Sequence, residues 1–110
     1  FKEPAAVPGI DFHAVRTQVS IVDVLRLLNF VCREMHGEQV RGGCPIHGSI
    51  SPRSRSFSAN LRKNTYRCFQ CGSAGNQLDL WAAVTSQPLH VATIALCQKL
   101  NLPIPWIRRW

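Results

Sequence analysis

The sequence predicts an α+β fold, a small antiparallel sheet set between N-terminal and C-terminal helices. Three observations lead there. Apolar residues recur at helical spacing on both flanks, at Ile21, Val24, Leu25 and Leu28 and again at Leu89, Ala92, Leu96 and Leu100. Between them Phe57, Ala59 and Leu61 alternate with Ser58, Asn60 and Arg62, the pattern of a half-exposed strand. Two short pairs of metal-binding side chains, Cys44-Pro45-Ile46-His47 and Cys68-Phe69-Gln70-Cys71, bracket that strand across the 20 residues Gly48 to Arg67. Each pair can bend a tight turn around one ion, and together Cys44, His47, Cys68 and Cys71 supply the three thiolates and one imidazole of a closed tetrahedral zinc site. The middle of the chain is therefore expected to be a zinc ribbon holding one structural Zn2+. Disulfides are the weaker alternative, because five cysteines do not pair off. Four protein ligands leave no open position, which favours a metal that holds the fold over one that performs hydrolysis.

Taken in order, residues 1–10 carry Pro4, Pro8 and Gly9 and read as an extended lead-in to a domain over residues 11–103. Asp11 can cap a short helix from Phe12 to about Val19. Ser20 with Asp23 forms a capping box for a second helix that stops near Asn29. Phe30 to His36 has no clean period, and strand and turn are favoured over continued helix. Glu38 to Arg41 runs as a strand into Gly42-Gly43 and the first ligand pair, and Gly48 to Ser56 has loop composition. After the Phe57 strand, Lys63-Asn64 turns the chain, and Thr65 to Cys68 returns as the partner strand with the second ligand pair at its end. Asn76 and Asp79 then cap a helix with Leu78, Trp81 and Ala82 on its buried side. Pro88 falls in the first turn of a last helix ending before Pro103. Residues 104–110 are a basic, Trp-containing tail.

At 110 residues the chain makes one domain with a modest core. Thirteen Lys and Arg against six acidic residues give a formal charge of +7, which suits an anionic partner. Six of the basic residues, Arg41, Arg53, Arg55, Arg62, Lys63 and Arg67, fall between Glu38 and Cys71. On a small ribbon they would supply phosphate contacts, with Tyr66 and Phe69 as candidate rings for stacking on unpaired bases. The competing reading is a solvated basic face with both rings in the core, and for Phe69 the two readings weigh equally. Phe57 is assigned to the core. Cys32 and Cys97 lie outside the ligand spacing among apolar neighbours and are expected to be small buried hydrophobes. Nothing reads as a signal peptide or an 18-residue apolar run, so a cytoplasmic, nucleoid-associated location with no membrane partner is expected.

From about Ile10 to Pro103 the chain resembles the N-terminal zinc-binding domain of bacterial DNA primases, also found in phage and plasmid primases. Ser20-Ile21-Val22-Asp23-Val24 and Cys44-Pro45-Ile46-His47 stand where that family has its second helix and its Cys-Pro-x-His pair. Phe57, Tyr66, Cys68-Phe69-Gln70-Cys71-Gly72, Gly75-Asn76 and Pro88 with Ala92 and Leu96 match the remaining motifs in order. The link from Gly48 to Ser56 departs from the family's in being longer and more basic. The resemblance implies a sheet face that reads single-stranded template DNA and helps place the start of a primer. It also implies that polymerisation belongs to a separate domain with clustered acids. Asp79 is the only acidic residue after Glu38, so this chain alone is expected to be no enzyme. A non-catalytic module binding single-stranded DNA, in primer initiation or in mobile-element replication, is the leading expectation. The alternative is a ribbon that recruits a primase catalytic domain, a helicase or a mobile-element protein through Trp81, Trp106 and Trp110.

Overall fold

The computed structural model describes residues 9–46, 48 and 54–107. Two short helices, α1 (Phe12–Gln18) and α2 (Ile21–Leu27), lead into five strands, β1 (Glu34–His36), β2 (Gln39–Gly42), β3 (Phe57–Asn60), β4 (Thr65–Cys68) and β5 (Ala74–Asn76), and two helices follow, α3 (Gln77–Thr85) and α4 (Leu89–Lys99). The strands form one antiparallel meander in the order β1-β2-β3-β4-β5. Among the described residues no single helix is long and apolar enough to cross a membrane.

The expected caps form. Asp11 accepts from the Ala14 N–H at 3.1 Å, and both capping boxes, Ser20 with Asp23 and Asn76 with Asp79, are closed in both directions. Pro88 sits one position earlier than expected, at the N-cap of α4, where its fixed φ and missing N–H cost nothing. Phe30 to His36 divides as favoured: Phe30 tilts against Phe57 at 5.2 Å between ring centroids, and the chain then runs into β1.

Side chains alternate across the sheet. Val40, Phe57, Ala59 and Tyr66 face inward, into one core with Val15 of α1, Val19 at its C-terminal cap, Ile21 and Val24 of α2, Leu78 and Trp81 of α3 and Leu96 of α4. Two polar contacts tie this core across the chain. The Asn64 side chain, at the β3–β4 turn, accepts from the Ile21 N–H at 2.8 Å. The buried Gln77 amide donates to the carbonyl oxygens of Arg16 at 3.1 Å and Val19 at 2.7 Å, closing off the end of α1.

Four sequence expectations are corrected. Leu61 lies in the β3–β4 turn instead of in the strand, still packed on the core. Ala74 to Asn76, given no strand from the sequence, forms the edge strand β5, with Asn76 still capping α3. Trp81, a candidate surface anchor, is buried. Cys32 is exposed while Cys97 is buried; once Phe30 turns inward, Val31 and Cys32 are left on the surface, with the Cys32 thiol donating to the Glu34 carbonyl at 3.3 Å.

Gly75 in β5 has no room for a side chain. Its φ is +155°, and a Cβ there would lie 2.7 Å from the Cβ of Asp79 and collide with the carboxylate that caps α3. Gly75→Ala should therefore destabilise the domain by about 2–4 kcal/mol, the backbone strain and the lost cap together, measured by chemical denaturation. A thiol reagent should label Cys32 rapidly and Cys97 only on unfolding, since burial both hides the Cys97 thiol and pushes its pKa up; peptide mapping by mass spectrometry reads out both.

Candidate metal centre and nucleic-acid interface

The register of the sheet brings the cysteines together. Gly42 at the end of β2 pairs with Phe57, and Phe57 pairs with Cys68. Cys44, two residues past Gly42, and Cys71, three past Cys68, therefore reach the same end of the sheet. The Sγ atoms of Cys44, Cys68 and Cys71 all lie within 4.8 Å of one another, the first two buried and the third exposed. Zinc–sulfur bonds of about 2.3 Å in a tetrahedron put sulfurs roughly 3.8 Å apart. The cluster is thus compact enough to coordinate a metal through all three sulfurs.

The local backbone favours thiolates. The Ile46 N–H donates to Cys44 Sγ at 3.4 Å and the Cys71 N–H to Cys68 Sγ at 3.3 Å. Burial alone would raise the Cys68 pKa, yet the Cys71 and Gln70 N–H groups and the neighbouring thiols outweigh it and bring the group down to about 7. Each ligand pair is followed by a glycine with left-handed φ, Gly48 at +67° and Gly72 at +80°, where a residue with a Cβ would be strained. His47 lies outside the described residues, as do Arg53 and Trp110.

The outer face of the sheet carries the charge. Directly paired residues share a face, so Glu34, Arg41, Ser58, Arg67 and Ala74 form one row across all five strands. Beside it runs a second row, His36, Gln39, Asn60, Thr65 and Asn76. The Gln39 amide donates to Ser58 Oγ, and the Asn60 amide donates to Gln39 Oε1 at 3.2 Å, knitting the rows together. Just past β4, the Phe69 backbone N–H donates to the Ser56 carbonyl at 2.7 Å. The Phe69 ring is 58% exposed, with the guanidinium carbons of Arg41 and Arg67 at 5.1 and 5.2 Å from its centroid. A shallow recess of about 240 Å³ adjoins the ring, with Gln39, Asn60, Lys63 and Thr65 in its walls.

Of the residues expected to meet nucleic acid, Arg41, Arg67 and Phe69 come together on this face. Lys63 stands at its edge in the exposed β3–β4 turn, next to Arg62, whose guanidinium lies 3.9 Å from Glu38. Arg55 sits beside Arg41 and accepts from its Nη2 through the main-chain carbonyl at 2.6 Å. Tyr66 is elsewhere: its ring stacks on Phe57 at 5.7 Å in the core, its hydroxyl bonds Ser73 Oγ at 2.7 Å, and only 4% of it is exposed. The reading of Tyr66 as a stacking platform is corrected, because the alternation that turns Arg67 outward turns Tyr66 inward. Gln39, Ser58, Asn60 and Thr65 were not singled out from the sequence. The signal was present in the pairing of Arg41 with Arg67 through Ser58, but it needs the register to be legible.

Comparison with known proteins agrees with this architecture. Residues 9–109 match the CHC2 zinc finger family. A DNA primase of Listeria monocytogenes is 38% identical over 72 residues, covering 66% of this chain and 11% of that protein. A DNA primase of Geobacillus stearothermophilus is 31% identical over 98 residues, covering 89% of this chain and 16% of that protein. The zinc-binding and RNA polymerase domains of the Aquifex aeolicus primase share the fold, with a TM-score of 0.66 at 23% identity, over 92% of this chain and 23% of that one. The chain thus spans less than a quarter of the length of these relatives. With three sulfurs gathered at the end of a five-stranded ribbon and a family match that runs almost its whole length, the chain belongs to the CHC2 zinc finger family.

Proposed function

We propose that this chain is a non-catalytic zinc module that holds single-stranded DNA on its outer sheet face, in primer initiation of the DNA-primase type or in mobile-element replication. The observation that carries the reading is Phe69, an aromatic ring left exposed on a polar face between two guanidinium groups. Such a ring gains little from water. It gains about 1–3 kcal/mol by stacking on an unpaired base, while flanking arginines take phosphates without regard to sequence. The polar row beside it offers amides and hydroxyls to base edges. Family membership and the similarity to DNA primases support the same reading. Because those primases are far longer, nucleotide polymerisation is assigned to other parts of such proteins and the present chain to template holding. The site of action is then cytoplasmic, at the nucleoid.

One structural zinc, held by Cys44, Cys68 and Cys71 with His47 as the fourth ligand, completes the reading. Its contribution is to cross-link the ends of β2 and β4 with charge to which thiolates bind. Partner recruitment is the second reading, and it draws on Trp106 and Ile107, which remain 42% and 44% exposed, the Trp106 ring lying 6.5 Å from that of His90.

Two outcomes are expected. Purified protein should carry about one zinc per chain, and chelation should unfold at least the ribbon, because structural zinc in small fingers contributes about 10–16 kcal/mol, as much as a whole domain's net stability. Elemental analysis with circular dichroism measures both, and folded protein with little zinc would refute it. For DNA, fluorescence anisotropy on an unstructured oligonucleotide should show Phe69→Ala losing about 1–3 kcal/mol at an unchanged salt slope. Arg67→Ala should instead lower the log–log salt slope by about 0.7. Wild-type affinity in both variants would reject the sheet-face reading in favour of partner recruitment.

A further inference from the structure

The basic row on the outer face ends in an acid. Among the described strand residues that point outward, Glu34 is the only carboxylate, and its cross-strand partner is Arg41. Its Oε2 lies 2.5 Å from His36 Nε2, and its Oε1 lies 3.4 Å from Arg55 Nε. Arg41 in turn donates to the Arg55 carbonyl, so Arg41, Arg55 and Glu34 form one cluster at the β1 side of the sheet. The hydrogen bond with the His36 ring, aided by the charges of Arg55 and Arg41, holds the Glu34 carboxyl below its usual range, so it stays ionised at neutral pH.

A carboxylate and a phosphodiester offer a guanidinium the same thing, an anionic pair of oxygens accepting N–H bonds. We propose that Glu34 acts as a built-in substitute for a backbone phosphate, occupying Arg55 and closing the DNA track at its β1 end. The inference rests on the sheet-face reading above and adds a limit to it. A bound strand is held by Arg41, Phe69 and Arg67, while Arg55 stays with Glu34 instead of extending the contact. Exposed ion pairs of this kind are weak. The substitution is therefore a soft one: it moderates affinity and sets where the footprint ends, and it leaves the face open to DNA. A module that must release template as a primer is extended benefits from moderate affinity.

The test is a double-mutant cycle on zinc-loaded protein, with anisotropy of a labelled oligothymidylate measured at several salt concentrations and folding checked by circular dichroism. Glu34→Gln keeps the size of the side chain and removes its charge. It should tighten binding about three- to tenfold near 0.1 M salt and steepen the log–log slope by about 0.7, as Arg55 gains a phosphate. Arg55→Ala alone should change binding less than about twofold, since that guanidinium is already engaged. Combined with Arg55→Ala, Glu34→Gln should lose most of its gain, which separates competition for Arg55 from a mere change in net charge. A gain of equal size in the Arg55→Ala background, or no gain in either, overturns the proposal. Phe69→Ala and Arg67→Ala distinguish the levels: if they weaken binding while Glu34→Gln does nothing, only the role of Glu34 falls, and if both bind like wild type, the sheet-face reading falls and takes this one with it.

Discussion

Pairing Phe57 with Cys68 in the β3–β4 ladder decides the direction of every other side chain in the hairpin, because side chains alternate strictly along each strand. Cys68 and Tyr66 then point inward and Thr65 and Arg67 outward. Through β2 the same register brings Gly42 opposite Phe57, so that Cys44 arrives beside Cys68. A slip of one residue would bury Arg67 and expose Tyr66 and Cys68, dispersing the sulfur cluster and the basic row in a single step. The two candidate sites are therefore not independent features of the surface. They are two consequences of one pairing, on opposite sides of the same strand.

That shared origin separates the chemistry by face. Inward lie the ring stack of Phe57 and Tyr66 and the apolar sides of the helices, which exclude water. Outward lie arginines, amides and hydroxyls, and one ring that stays in solvent between two cations. Contacts of guanidinium with an exposed ring contribute about 0.5–1 kcal/mol each, too little to fix the fold but enough to bias the ring and both arginines toward one arrangement before any ligand arrives.

Much of this was legible in the sequence. The ligand spacing located the cysteine cluster, and the capping residues located three helix starts to within a residue. What escaped had physical reasons. β5 is three residues with a central glycine, and only its ladder to β4 makes it a strand. The exposure of Cys32 depends on Phe30 leaving the helix axis to meet Phe57, a contact between residues 27 apart in the chain. Tyr66 and Phe69 looked alike as candidate platforms because both are aromatic and beside basic residues. Strand alternation separates them: Tyr66 lies within β4 on its inward side, while Phe69 follows the end of the strand.

The Gln77 and Asn64 contacts described with the fold bear on the order in which the domain is assembled. α1 and α2 are seven residues each, too short to persist alone in water. The end of α1 is closed by the amide of Gln77, and the start of α2 by the side chain of Asn64, partners that lie 43 to 61 residues further along the chain. During synthesis the first two helices must therefore emerge and wait. They become secure only when the hairpin turn and the head of α3 have been made, so within this domain the two helices precede in the chain the contacts that hold their ends.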